Sequence, residues 1–421
     1  MRRALLPLLA LLLLLPAAAA KDDPEAKARE KIAGVWIEYA RWLCAKDQKA
    51  EAQEALQRAR ELAPQAKDLD AVAQEVDALA GEAAEDAALP KRREQARKEA
   101  AQLYDKLGRV DHEPADDARF DGYLLLAAEL DPSKGRLGKL AGLVKQLAGN
   151  RANAERAGRL LVRLRELDPQ GKHDALEQQL ARDDVALVKS PGHPMVGYLS
   201  LPKSWKRGAR LPVLVAVEGA GCGFLGRARD AAKTRGARDY LVLSPCALSN
   251  TNELQEAKYP WYGKALLDEG NRDRIGFDVQ GLLKLLELLK ERYGADERFA
   301  ITGFSGGGNL CYAMTVLFPG RVIVSAPACA NFSGLGFRDA KPVEGGGPPV
   351  RILTGAEDEH REFTFGKKDS PGIEPQTDRA VAALEGLGFK DLRRTMLKGV
   401  GHSPCAREVW EVIDEVSEGG K

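Results

Sequence analysis

The chain has 421 residues, 44% of them hydrophobic and 30% charged. It is too long for one ordinary domain, and its apolar content excludes wholesale disorder. Lysine and arginine number 63 against 62 aspartates and glutamates, so the overall charge gives no reason to expect a nucleic-acid or polyacidic partner.

Met1 to Ala20 has the order of a secretory signal. Arg2 and Arg3 precede an apolar stretch, Leu5 to Leu15, and Ala18, Ala19 and Ala20 form a small-residue cleavage site before Lys21. The apolar stretch is shorter than the roughly 20 residues of a spanning helix. We therefore expect an exported chain, secreted or periplasmic, with no membrane span after cleavage. Export permits disulfides among the six cysteines. Cys222 and Cys246, each just past the end of a predicted strand, are the expected pair. No Cys or His pair has zinc-like spacing, and no metal is expected.

Residues 21–183 read as successive helices, rich in Ala, Glu, Arg, Leu and Gln. Breaks are expected at Pro64, Gly81, Pro90, Pro114, Pro132 and Pro169. Glu61-Leu62-Ala63-Pro64, Glu129-Leu130-Asp131-Pro132 and Glu166-Leu167-Asp168-Pro169 each close a helix, and the first two prolines are 68 residues apart. Trp36, Tyr39, Ala40, Leu43, Ala52, Leu56 and Ala59 precede Pro64; Tyr104, Leu107, Gly108, Leu124 and Ala127 precede Pro132. This pattern resembles tetratricopeptide repeats, which implies a protein- or peptide-docking surface. The second unit departs from it with Phe120 in place of a small residue. An irregular helical bundle is the alternative.

Residues 184–421 change texture. Val185–Val188, Met195–Leu201, Val213–Val217, Tyr240–Leu243, Phe299–Thr302, Val322–Ser325, Val350–Leu353 and Leu392–Leu397 are predicted strands. Helices are predicted near Asp278–Tyr293, Asn309–Phe318, Gln376–Leu387 and Ala406–Val416. Strands alternating with helices give an α/β class with a mainly parallel, doubly wound sheet.

The strand at Phe299 runs into Gly303-Phe304-Ser305-Gly306-Gly307-Gly308 and then into a helix. This is a G-x-S-x-G nucleophile elbow, in which glycines let strand and helix approach and the serine hydroxyl stands at a helix start. The strand at Val350 leads to Glu357, Asp358 and Glu359. Asp358 is the chosen acid, with its two neighbours as competitors. The strand at Leu392 leads to Gly399-Val400-Gly401-His402, which places the base at His402, with His360 as a rival. The order Ser305, Asp358, His402 suits acyl transfer. Gly306 N–H is one candidate oxyanion donor.

Residues 211–416 are similar to the α/β-hydrolase family. Asp278, Ala295-Asp296-Glu297-Arg298, Gly-Phe-Ser-Gly-Gly-Gly-Asn and the 53-residue interval from Ser305 to Asp358 resemble the exported polyhydroxybutyrate depolymerase and feruloyl-esterase-like branch. The resemblance implies a Ser-His-Asp esterase without a cofactor, acting on a small or polymer-linked ester, and makes Ala220 N–H the second oxyanion donor. A departure stands beside it: Glu218 occupies the place of the family's His-Gly histidine and brings negative charge to the oxyanion loop, unless a partner such as an arginine braces it. Tyr259, Trp261 and Tyr262, on a loop following a strand end, are candidates for stacking on the acyl group. A prolyl-oligopeptidase-type peptidase shares elbow and order, although helices rather than a propeller precede the domain here. A hydrolase-like binding module is the non-enzymatic alternative.

Overall fold

The computed structural model of the chain describes residues 23–80, 87–110, 112, 114–168, 170–363 and 370–419. The expected signal peptide, Gly81 and Pro169 lie outside them. Among the described residues no helix is long and apolar enough to cross a membrane. The chain divides into two units between His173 and Asp174.

The N-terminal unit is all helical: α1 Pro24–Cys44, α2 Lys49–Leu62, α3 Leu69–Asp77, α4 Leu89–Leu107, α5 Asp117–Leu130, α6 Lys134–Ala148 and α7 Ala154–Leu167. Asp23 caps α1 by accepting the Glu25 N–H at 2.9 Å. Pro64 and Pro132 follow the ends of α2 and α5, as expected. Pro90 instead opens α4, where its missing N–H costs nothing. Ile32, Trp36, Leu43, Leu56, Tyr104 and Tyr123 share one core. Phe120 is buried in it and stacks on His112.

The 68-residue recurrence has a physical counterpart. Arg29 Nε donates to Leu62 O at 2.9 Å, and Arg97 Nε donates to Leu130 O at 3.3 Å. Each arginine reaches the last carbonyl of the following helix in its hairpin, satisfying an orphan acceptor at the same place in both units.

The C-terminal unit starts with α8 Asp174–Asp183, ten residues earlier than the expected boundary. Glu177 binds this helix to the sheet unit, since its buried carboxylate receives Arg292 at 2.6 Å and the Tyr293 hydroxyl. Eight strands follow: β1 Ala186–Lys189, β2 Val196–Ser200, β3 Leu211–Val217, β4 Leu241–Pro245, β5 Ala295–Gly303, β6 Val322–Ser325, β7 Val350–Gly355 and β8 Leu392–Leu397. They form one sheet in the order β1-β2-β4-β3-β5-β6-β7-β8. β2 is antiparallel to both neighbours, and β4 to β8 and β3 run parallel. The intervening helices are α9 Phe224–Thr234, α10 Lys264–Gly270, α11 Arg274–Tyr293, α12 Gly308–Leu317, α13 Ile373–Gly386 and α14 Ala406–Gly419. Neither α9 nor α10 is expected from the sequence; both are short and lie beside Gly-rich loops.

Helices cover both faces of the sheet. Leu353 packs with Leu214, Ala216 and α14 residues Trp410 and Ile413 on one side. Its neighbour Ile352 packs with Tyr312 of α12 and Leu384 of α13 on the other. Alternate residues of one strand thus enter opposite cores, and burial on both faces gives the continuous apolar runs seen in the sequence. This is a mixed, mostly parallel α/β sheet covered on both faces. Its parallel strands end together, so the loops after β3, β4, β5, β7 and β8 gather at one edge, the usual place for a ligand in such folds.

Candidate active site

Ser305 lies two residues beyond the end of β5, with φ of 50°. A non-glycine residue in the left-handed region is strained, and the surrounding contacts hold it there. A Cβ on Gly303 would stand 2.4 Å from Gly307 O, and one on Gly307 would stand 2.6 Å from Glu218 O. Only glycine permits so close a crossing of strand and helix, which explains both glycines of the motif. Ser305 N–H reaches Ala328 O at 3.4 Å, and Ser305 O receives the Asn331 N–H at 2.8 Å.

Asp358 follows β7, and its side chain is 1% exposed. Its Oδ2 lies 2.9 Å from His402 Nδ1, and its Oδ1 receives the His360 N–H at 2.7 Å. An ionised carboxylate only accepts, so His402 Nδ1 is the donor and Nε2 is left as the basic nitrogen. Of the competing acids, Glu359 is exposed and receives the His402 N–H at 3.4 Å, while the Glu357 N–H bonds to Val400 O. His360 contributes its backbone N–H, and its ring lies edge-on to His402 with centroids 4.8 Å apart. The Phe304 ring, next to Ser305, lies 4.8 Å from the His402 ring and brings elbow and base loop together. Among the described residues no hydrogen bond joins Ser305 Oγ to His402; such bonds often tighten only when substrate binds.

The electrostatics suit a base. Burial acts to lower the His402 pKa, but the hydrogen bond and charge of Asp358, with Cys329 and Glu359 nearby, leave it raised above 6.5. Burial acts to raise Asp358, and the His402 and His360 hydrogen bonds overcome it and hold the carboxyl below its usual range. Cys329 Sγ, Asp358 and His402 present their donor atoms within 4.8 Å of one another. The Cys329 thiol is buried beside that of Cys405, and each residue has positive φ. Neither cysteine was singled out from the sequence.

The candidate oxyanion loop runs from Glu218 to Gly223. Neither Ala220 N–H nor Gly306 N–H has an acceptor among the described residues, which leaves both free to bind an oxyanion. Glu218 is half-buried; burial raises its pKa, and the charge of Arg227 opposes that rise. Arg227 of α9 is fully buried, and none of its side-chain nitrogens has a hydrogen-bond partner among the described residues. Burial lowers its pKa against the charges of Glu218 and Asp230. Its Nη1 lies 3.8 Å from Asp230 Oδ2, and its buried charge acts on Glu218 as well.

Two expectations are corrected. All six cysteines are free thiols: Cys222 Sγ approaches Tyr259 Oη at 3.4 Å, and Cys246 is buried separately. Tyr259 does not face a substrate. Its side chain is fully buried, stacks on Tyr262 and donates its hydroxyl to Asn250 Oδ1 at 2.9 Å. Trp261 is half-buried and packs edge-on against Tyr198 and Phe224. Its Nε1 is buried without a hydrogen-bond partner among the described residues. The loop's rings therefore pack on one another and against β2 and α9, burying their large apolar area.

Sequence reasoning missed Asn250 and underused Asp278. Asp278 is fully buried and receives the Leu248 and Ser249 N–H groups at 2.8 and 2.7 Å; burial pushes its pKa up to about 7 against those bonds. Asn250 follows on the same loop and donates from Nδ2 to Gly219 O at 2.7 Å. The available signal was its position just past a parallel strand end.

No family model and no curated protein matches the chain. Solved structures do. A thermostable esterase aligns with 19% identity over 57% of this chain and 64% of its own, TM-score 0.38. The chain therefore spans less than two thirds of that esterase. Poly(aspartic acid) hydrolase-1 from Sphingomonas sp. KT-1 aligns with 19% identity over 54% of this chain and 97% of its own, TM-score 0.39. The propionate-bound esterase Est2 from Thermogutta terrifontis aligns with 16% identity over 55% of this chain and 92% of its own, TM-score 0.36. Likenesses this distant assign neither residue roles nor a substrate.

Proposed function

We propose that the C-terminal unit is a serine hydrolase that cleaves carboxylic esters. The observation that carries this reading is the 2.9 Å contact between buried Asp358 and His402 Nδ1, in the loops beside an elbow serine held at φ of 50°. In the reaction, Ser305 Oγ attacks the acyl carbonyl while His402 Nε2 takes its proton. His402 then returns that proton to the leaving alcohol. Asp358 orients the imidazole and stabilises its charged form. The Ala220 and Gly306 N–H groups receive the oxyanion. Water activated by His402 releases the acid, and no cofactor takes part. A neutral or weakly charged ester is the substrate class in this reading, and the resemblance to the depolymerase and feruloyl-esterase-like branch supports it.

The reading extends to the rest of the chain. The pattern of Met1 to Ala20 supports export, and the recurring Arg29 and Arg97 contacts support a tetratricopeptide-like module that docks a protein or peptide.

A fluorophosphonate probe tests the enzyme reading. It is expected to label the wild-type chain at Ser305 and to leave Ser305→Ala unlabelled at equal Tm. Folded wild-type protein that resists the probe overturns the reading. Short-chain nitrophenyl esters set against aminoacyl amides then separate esterase from peptidase, with faster ester turnover expected.

A further inference from the structure

Gly219 C=O and Ala220 N–H belong to one peptide unit. A trans peptide points the two in opposite directions, so whatever fixes the carbonyl aims the amide. Gly219 O accepts two hydrogen bonds, from Cys222 N–H at 3.0 Å within its own loop and from Asn250 Nδ2 at 2.7 Å. The second reaches across from the loop after β4.

Asn250 is built to make that contact. It is 1% exposed. The Tyr259 hydroxyl donates to its Oδ1 at 2.9 Å, which fixes the side-chain amide with NH₂ toward Gly219. The two residues before it are held in place. Asp278 holds the two preceding N–H groups, and Asn309 Nδ2 donates to Ser249 O at 3.2 Å. The segment also touches the elbow closely: a Cβ on Gly306 would stand 1.9 Å from Asn250 O. Both candidate oxyanion donors thus lie against one buried residue.

We propose that Asn250 is a positioning residue of the oxyanion hole, holding the Gly219–Ala220 peptide so that the Ala220 N–H faces the acyl oxygen of an ester at Ser305. The proposal rests on the serine-hydrolase reading above. The need for such a clamp follows from the sequence Gly219-Ala220-Gly221. Gly219, with no Cβ, frees the ψ rotation on one side of this peptide. A rotated peptide would turn the Gly219 carbonyl toward the developing negative charge and replace a donor with an acceptor. Glu218 stands where the family's histidine is expected, and the clamp comes instead from the β4 loop.

The test uses the full chain, a short-chain nitrophenyl ester, and a boronic acid that forms a tetrahedral adduct with an active serine. Asn250→Leu removes the donor, and Asn250→Asp sets a carboxylate against Gly219 O. Loss of one oxyanion donor costs about 10²–10³-fold in kcat, and that loss is expected in both variants with KM nearly unchanged. Boronate affinity is expected to fall in parallel. Tyr259→Phe keeps the amide but releases its orientation, and a smaller kcat loss, about tenfold, is expected from one lost hydrogen bond. It also keeps the proposal testable if both Asn250 variants fail to fold. A folded Asn250 variant with wild-type kcat overturns the proposal, as does a loss confined to KM. So does unchanged boronate affinity. If the Asn250 variants do not fold, wild-type kcat in Tyr259→Phe overturns it. Wild-type protein inert to fluorophosphonate overturns the hydrolase reading itself, a separate outcome seen before any variant is made.

Discussion

Replacing Asp358 by asparagine changes almost no volume and removes one charge. In the native site Oδ1 receives the His360 N–H at 2.7 Å and Oδ2 receives His402 Nδ1 at 2.9 Å. Asparagine has one acceptor and one donor to place in these two positions. Keeping its oxygen on His360 turns its NH₂ toward His402 Nδ1. The imidazole must then accept at Nδ1 and carry its proton on Nε2, the nitrogen that should take the proton from Ser305. The wrong tautomer in a comparable triad costs about 10⁴ in kcat, which corresponds to about 5.5 kcal/mol of barrier. A second consequence concerns pH. The base acts when neutral, so activity rises as pH increases through the His402 pKa, which Asp358 holds above 6.5. Without that charge, burial dominates and the rise moves to lower pH. The assay is kcat/KM for a nitrophenyl ester from about pH 5 to 9, with fluorophosphonate labelling as the single-turnover readout. A variant within about tenfold of wild type, or one whose acid limb has not moved downward, would refute the reasoning.

Three further outcomes follow from the structure. Gly307→Ala sets a Cβ 2.6 Å from Glu218 O and 2.8 Å from Val217 O. Urea unfolding is expected to show a loss of about 1–3 kcal/mol, with slower labelling of Ser305. Arg227→Met removes the buried charge that acts on both Glu218 and Asp230, with a cost of about 3 kcal/mol. Adding Glu218→Gln is expected to restore most of that, and a strictly additive double-mutant cycle would remove the Glu218–Arg227 coupling. Asp278→Asn loses one of two buried acceptors, worth about 1–3 kcal/mol. Because burial raises Asp278 from 3.8 to about 7, the folded state binds its proton more tightly than the unfolded state. The contribution of Asp278 to stability therefore declines as pH rises from 3.8 to 7. The stability advantage of wild type over Asp278→Asn should shrink across that window in chemical denaturation, and a constant difference would contradict it.

Much of this was legible in the chain because it depends on local pattern. All eight strands of the sheet correspond to predicted strands; the inner ones are buried on both faces and read as apolar runs without long-range information, whereas β8 is a mostly exposed edge strand. The elbow is equally local: Gly303 and Gly307 are required by contacts within a few residues of Ser305 or with the strand beside it. Where sequence reasoning went astray, the deciding contact lay far away along the chain. The Asp174–Asp183 helix belongs with the sheet because Glu177 meets Arg292 and Tyr293, more than a hundred residues later. Tyr259 reads as a ring for stacking on an acyl group until its hydroxyl is seen buried on Asn250.

The sequence by itself determined the α/β class, the two-part organisation and the order Ser305, Asp358, His402, because periodicity, glycine spacing and chain order are properties of neighbours. Only the tertiary structure decided that Asp358 rather than Glu357 or Glu359 meets the imidazole, that Arg227 is buried where its charge acts on Glu218, and that Asn250 binds Gly219 O. Those choices depend on which strand ends converge at one edge of the sheet. They depend also on which charges burial forces to find a partner, and a linear pattern carries neither.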